Sequence, residues 1–334
     1  MSTDEAHQRT KTAWRAIDWN NVLTGIVTAD KYFMRSGLIR KDILPQYVRE
    51  FMPLTIVLGN ENDVENAEQA LHREDGDSLW LLKPADSSNA NGIQVLRASS
   101  VASGVLSKST DLRRKHVLQR YVNPMLSPQG RKFHVRALVL ATGNVQVRIH
   151  RELRVLQATH SYCPTAIEDP LVHFTNRSVN CEAPGYDASS QNQSLEEFAA
   201  SFAMWPLCQQ REWSTSLRRS IHHIITKVFE RLSETNGRHF FALPNCYELF
   251  GADFMVDGSP EHRVWLLEVN PDPSLELYPP CYQQQLGRVL AEQGLAFDHS
   301  SQVWNFGDPE LCKAFPIVYA STAHSGQDNN DNTS

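Results

Sequence analysis

Asp253, Glu268 and Asn270 sit near the ends of two hydrophobic stretches, "YELFGADFMV" and "VWLLEVN", joined by the turn-like "DGSPEHR". Side chains alternate faces along a strand, so Glu268 and Asn270 share a face, and a hairpin would bring Asp253 alongside. Two carboxylates and a carboxamide gathered at a strand end form the oxygen-rich donor set that Mg2+ prefers, with phosphate oxygens completing its shell. Carboxylates on an exposed strand rim are the competing interpretation. The apolar run Val264-Trp265-Leu266-Leu267 directly before Glu268 argues against a solvated face.

Two further segments carry the opposite charge. In "LLKPADSSNANGIQVL", Lys83 ends an apolar strand and is followed by a small-residue loop running to Gly92. A lysine so placed can reach a phosphate while loop amides cover it. The pattern is not the GxxxxGK[ST] of a P-loop. In "GRKFHVRALV", Lys132, His134 and Arg136 fall on one strand face and Phe133 and Val135 on the other. Basic groups crowded on one face repel one another unless they share an anion. Together these parts suit phosphoryl transfer, which needs charge neutralisation and positioning above all.

Strands, helices and hairpins position these residues. "SLWLLKP", "GIQVLR" and "HVLQRYV" are predicted strands, the first halted by Pro84 and the last stopped before Pro124. "KFHVRALVLATGNVQVRIHRE" predicts a hairpin turning at Thr142-Gly143-Asn144. Ser194 with Glu197 predicts a capping box opening the helix "LEEFAASFAM". A longer helix is expected from about Ser214 to Gly237, with Leu217, Ile221, Ile224, Ile225, Val228 and Leu232 along one face. Residues 1–12 and the polar tail 321–334 are expected to be disordered. Hairpins dominate, so the fold class is α+β with antiparallel sheets.

The totals exclude several classes. The chain has 334 residues, 41% hydrophobic and 21% charged, enough for two or three lobes. A net charge of -6 and the lack of any RRM, KH or zinc pattern argue against nucleic acid as a partner. No apolar run approaches the ~18 residues of a membrane span, and the N-terminus lacks the apolar core of a signal peptide, so a cytoplasmic protein with no membrane partner is expected. Six scattered cysteines with no CxxC read as reduced thiols. Trp205, Trp213 and Trp304 are expected in the core.

From about Tyr32 to Leu277, the ordered set "KPADSSNANGI", "QRYVNPML", "GRKFHVR", "HFTN", "ELFGADFMVD" and "VWLLEVNPDPSL" resembles the tubulin–tyrosine ligase-like family of ATP-grasp enzymes, and "YFMRSGLIRKDIL" is similar to its N-terminal Arg-Lys segment. The resemblance implies an ATP-grasp fold: a reduced N-terminal lobe (1–60), a central lobe (61–122), a C-terminal lobe (123–320) and the tail. It implies ATP and Mg2+ as cofactors and activation of a carboxylate as an acyl phosphate that an amine then attacks. By the same resemblance, Lys83 binds the α- and β-phosphates, Lys132 contacts the nucleotide, and Gln119, Arg120, Tyr121 and Val122 frame the adenine. Lys41 and Arg136 approach the γ-phosphate and the reacting centre. Asp253, Glu268 and Asn270 hold magnesium, and Asn176 lies near the site. The partners implied are an amino acid and an acidic protein tail, that of tubulin by family alone.

Three positions depart from the family pattern, one of them Leu153, which stands where the family has a glycine. Ala90 replaces the first glycine of a GxG in the phosphate loop, a mild loss only where positive φ is not required. Leu156 stands where the family carries an arginine that helps hold the acceptor, with Arg154 two residues earlier as a possible substitute. "LRRK" (112–115) and the row Arg148, Arg151 and Arg154 are candidate basic surfaces for an acidic tail. Alongside the ligase stands a second expectation: a nucleotide-binding scaffold with weak or no ligase activity.

Overall fold

The computed structural model describes residues 13–321 except 88–89, 112, 291–294 and 308. Both segments expected to be disordered fall almost wholly outside that range.

Two antiparallel sheets carry the architecture. The smaller comprises β1 (Thr55–Leu58), β2 (Leu79–Pro84), β3 (Gln94–Arg97) and β4 (His116–Arg120), in the order β1-β4-β2-β3. Helix α1 (Glu61–Leu71), capped by the Asn60 side chain, buries Val64, Ala67 and Leu71 against Leu58, Trp80, Leu82 and Leu118. Strand alternation therefore turns Leu81 and Lys83 the other way, toward the second sheet.

That sheet holds β5 (Arg131–Thr142), β6 (Gln146–Ile149), β7 (Arg154–Ser161), β8 (Asn192–Ser194), β9 (Tyr247–Val256) and β10 (Val264–Pro271). A strand pair, β11 (Leu295–Asp298) and β12 (Val303–Phe306), lies apart, and β13 (Ile317–Ala320) closes the large sheet against β6. One face of the large sheet is apolar throughout: Phe133, Val135, Ala137 and Val139 of β5 and Phe250, Ala252 and Phe254 of β9. α2 (Leu195–Ala200) begins with the expected capping box of Ser194 and Glu197. α3 (Leu207–Ser233) lays the expected stripe, joined by Phe229, on that face. α3 starts seven residues before the expected Ser214, directly after Pro206, and ends before Gly237.

The opposite face changes character along its length. Near the small sheet it presents Lys132, His134 and Arg136. Farther along it presents Leu138 and Leu140, which join Tyr247 and Leu249 under a roof of Leu275, Leu277, Tyr278 and Phe315. Helix α4 (Pro280–Leu290) adds Leu286 to that roof, and Trp304 is buried in it. Trp205 and Trp213 are only partly buried against the main core, where they pack with Phe202. Charge gathers at the end of the face that meets β2; farther along, Arg148, in register with Leu140, is buried and donates to the Phe315 carbonyl.

Candidate active site

The β9–β10 hairpin aligns Asp253 with Glu268 and Gly251 with Asn270. Asn270 Nδ2 donates to Asp253 Oδ2 at 3.2 Å and to Glu268 Oε1 at 3.0 Å, so the three polar heads converge. Arg136, directly across from Asp253 in the β5–β9 register, grips that carboxylate through Nε and through Nη2, the latter at 2.9 Å. Lys41 lies 3.2 Å from Glu268 Oε2 and donates to the Ser87 carbonyl of the phosphate loop. Burial works against the charge of Glu268, but Lys41 and Lys83 outweigh it and hold its carboxyl below the usual range.

Lys83 and Lys132 face this trio across a cleft that Leu81, Ile93, His134, His173, Phe174, Thr175, Asn176, Met255 and Leu267 also line. Lys83 donates to Gln119 Oε1 at 2.7 Å and Lys132 to Tyr121 Oη at 2.8 Å. Burial drives the Lys83 ammonium down to about 8, with Glu268 pulling back and Lys41 adding to the fall. Burial, and then repulsion from Lys83, takes Lys132 to about 7. Two desolvated ammonium groups repelling each other are the electrostatic signature of a site built for an anion.

Of the residues expected at the site, Lys41, Lys83, Lys132, Arg136, Asp253, Glu268 and Asn270 converge on the cleft, with Asn176 on its rim. Gln119 and Tyr121 stand behind the lysines as their hydrogen-bond acceptors. Arg120 instead points outward to Glu74 at 3.2 Å, and Val122 lies past the end of β4. A larger cavity, about 550 Å3, opens between α3 and the β9–β10 turn, but it gathers no comparable set of convergent charges.

Lys31 was not singled out from sequence, and His134 of the basic strand face and His173 of the HFTN segment were given no role there. His134 Nδ1 lies 2.5 Å from Thr175 Oγ1, while its buried Nε2 has no hydrogen-bond partner among the described residues and sits 3.6 Å from Asp253 Oδ1. Burial takes this imidazole down to about 4, so it is neutral. His173 Nδ1 pairs with Tyr121 Oη at 2.8 Å. Lys31 holds Asp272, just past the end of β10, at 2.5 Å. The alternation of β5 already put His134 on the basic face. His173 opens the HFTN segment, and the contact of Lys31 with Asp272 depends on a residue far away in the chain.

Several expectations need correction. Ala90 has φ 59°, so the position does adopt the left-handed region where glycine fits and alanine is strained. Ala90→Gly is therefore expected to release up to about 1 kcal/mol of that strain, partly offset by unfolded-chain entropy. Chemical denaturation with and without nucleotide will measure it. Leu156 packs in the apolar cluster with Leu275, Leu277 and Tyr278. Arg154 does not replace the missing arginine: its guanidinium is spent on Asn192 and on Glu152 at 2.9 Å. Arg148 is buried too, bonded to the Phe315 carbonyl, so the row 148/151/154 is not a basic surface. Arg113, Arg114 and Lys115 are exposed, each beside an aspartate.

The two sheets facing each other across a charged cleft define an ATP-grasp fold. The structure matches the C-terminal domain of Kluyveromyces lactis Pby1, described as an ATP-grasp enzyme interacting with the mRNA decapping enzyme Dcp2, with a TM-score of 0.64 at 19% identity over 93% of this chain and 87% of that one. The model of the tubulin-tyrosine ligase family matches residues 19–295, and the chain belongs to that family. It is 36% identical over 170 residues to a probable tubulin–tyrosine ligase of Schizosaccharomyces pombe, covering 49% of this chain and 37% of that protein. It is 28% identical over 267 residues to the probable tubulin polyglutamylase TTLL2 of mouse, covering 72% and 45%. The chain thus spans less than half the length of these relatives.

Proposed function

We propose that the protein is an ATP-dependent carboxylate–amine ligase. The observation that carries this reading is the convergence of Lys83, Lys132, Lys41 and Arg136 with Asp253, Glu268 and Asn270 on one cleft. A substrate carboxylate oxygen attacks the γ-phosphorus of ATP and ADP leaves. An amine nitrogen then attacks the acyl carbon, phosphate leaves, and the amine proton is lost to give an amide.

Lys83 and Lys132 hold phosphate oxygens, and the apolar pair Leu81 and Ile93 faces Met255 and Leu267 to accept the adenine ring. Arg136 Nη1, which makes no hydrogen bond among the described residues, pairs with the γ-phosphate and the approaching carboxylate, two anions that would otherwise repel. Asp253, Glu268 and the Asn270 carboxamide suit magnesium: the two carboxylates and the amide oxygen are hard donors, and few enough are present to leave room for phosphate oxygens, with Asn270, whose Nδ2 now meets both carboxylates, turning its Oδ1 to the ion. When bound there, the ion would neutralise developing phosphate charge.

Nucleotide binding is expected to be proton-linked. Lys83 and Lys132, held near about 8 and about 7 in the free protein, must both be charged to hold phosphate. Binding at pH 8 should therefore take up protons, and affinity should fall as pH rises through that window. The free protein should behave oppositely: the unfolded chain binds these protons up to about pH 10.4, so stability rises with pH from about 7. Calorimetry in buffers of differing ionisation enthalpy reads the uptake; its absence at pH 8 would refute the assignment.

The family options for the reaction are tyrosination, glutamylation and glycylation, and a tubulin tail is the acceptor by family alone. Leu156 and the committed Arg154 favour a second reading, in which ATP is kept and the protein serves as a scaffold. Labelled tyrosine, glutamate or glycine, incubated with tubulin and Mg-ATP, decides between them. Incorporation names the reaction; nucleotide binding without label in any acceptor tried supports the scaffold.

A further inference from the structure

Gly251 stands in the middle of β9, between Leu138 of β5 and Asn270 of β10, with no positive φ to require a glycine. A strand interior normally disfavours glycine, which gives it no side chain to pack. A Cβ here would lie 3.0 Å from Pro273 Cβ and 3.2 Å from both Cδ and Nη1 of Arg136.

Neither neighbour is free to give way. Arg136 is fixed by its two bonds to Asp253. Pro273 follows Asp272, which is held by Lys31 and itself sits at φ 54°. The Arg136 side chain therefore passes over the bare backbone of Gly251, with Pro273 at the exit of β10 beside the same spot. Its Nη1 makes no hydrogen bond among the described residues, and its other two nitrogens are committed.

We propose that Gly251 is a positioning residue: its missing side chain is the slot that lets Arg136 lie across β9 with Nη1 turned to the γ-phosphate. The inference rests on the role given to Arg136 above. Gly251→Ala pushes Arg136 or Pro273 by a few tenths of an ångström and leaves Lys83 and Lys132 untouched.

The test compares Mg-ADP with Mg-ATP binding by titration calorimetry for the wild type, Gly251→Ala, Arg136→Ala and the double variant. The wild type should prefer ATP. Gly251→Ala should bind ADP as the wild type does and lose about tenfold in ATP affinity, the scale expected of a sub-ångström misplacement. Because Gly251 acts through Arg136, the double variant should bind ATP no worse than Arg136→Ala alone. Additive losses, equal loss of ADP and ATP, or no loss would each overturn the proposal while leaving the ligase reading standing. A wild type that does not distinguish ATP from ADP would overturn both. A Gly251→Ala protein whose circular dichroism differs from the wild type's would count against the proposal, since it would show a structural glycine instead.

Discussion

Glu268→Gln is expected to lower magnesium-dependent ATP turnover by at least about 100-fold while leaving the fold intact. The loss of supporting partners alone commonly costs 10–100-fold at a metal site, and here a charged donor is removed. The change is nearly isosteric, and the new amide oxygen can still accept from Asn270 Nδ2, now 3.0 Å from Oε1. What disappears is charge. Glu268 is the group that supports the Lys83 ammonium against burial, and it also faces Lys41 at 3.2 Å. Without it, both lysines confront each other uncompensated, so nucleotide binding should weaken further at pH 8 than at pH 6.5. Glu276→Gln is the control: that carboxylate pairs with Arg177 at the surface, and turnover should stay within about twofold, as exposed pairs contribute little. Turnover of Glu268→Gln at the wild-type rate would remove Glu268 from the metal site.

How much of this was legible beforehand follows from the range of the forces involved. Period-two alternation is local, so it correctly paired Glu268 with Asn270 and separated Lys132, His134 and Arg136 from Phe133 and Val135. Turn chemistry is local as well: the 142–146 turn closes the β5–β6 hairpin, with Gly143 at φ 57°. The start of α3 was misplaced because Leu207–Trp213 is too polar to show the apolar period, although Pro206 marked the boundary. β8 and β13 escaped notice because short strands acquire their identity from distant partners, Arg154–Leu156 and Gln146–Arg148 respectively. The same limit governs the site. That Arg148 and Arg154 are buried and occupied, and that Lys31 reaches Asp272, depends on residues far away in the chain. Residue type and spacing revealed which groups could hold a phosphate; only packing revealed which were free to do so.

Arg136→Ala should combine the second large kinetic loss with a loss of stability, and the two can be separated. Asp253 is 4% exposed, and its two charge-assisted bonds come from Arg136. Removing the arginine leaves a buried carboxylate whose remaining polar neighbours among the described residues are Asn270 at 3.2 Å and the His134 ring at 3.6 Å. Breaking a buried pair from one side costs about 3–5 kcal/mol, because the remaining charge is uncompensated. Replacement by lysine keeps the charge but not the bidentate fork, so Arg136→Lys should recover part of the stability and little of the ATP-over-ADP preference. pH provides an independent check. In the wild type, burial first and Arg136 among the nearby charges keep His134 at about 4. With Arg136 gone, His134 protonates more readily beside Asp253, and that proton offsets the uncompensated charge. The stability deficit of Arg136→Ala should therefore be largest near pH 7 and shrink toward pH 5. Urea denaturation at both values measures it. A deficit that is constant across that range would mean that the arginine contributes packing over Gly251 and Pro273 rather than charge to Asp253.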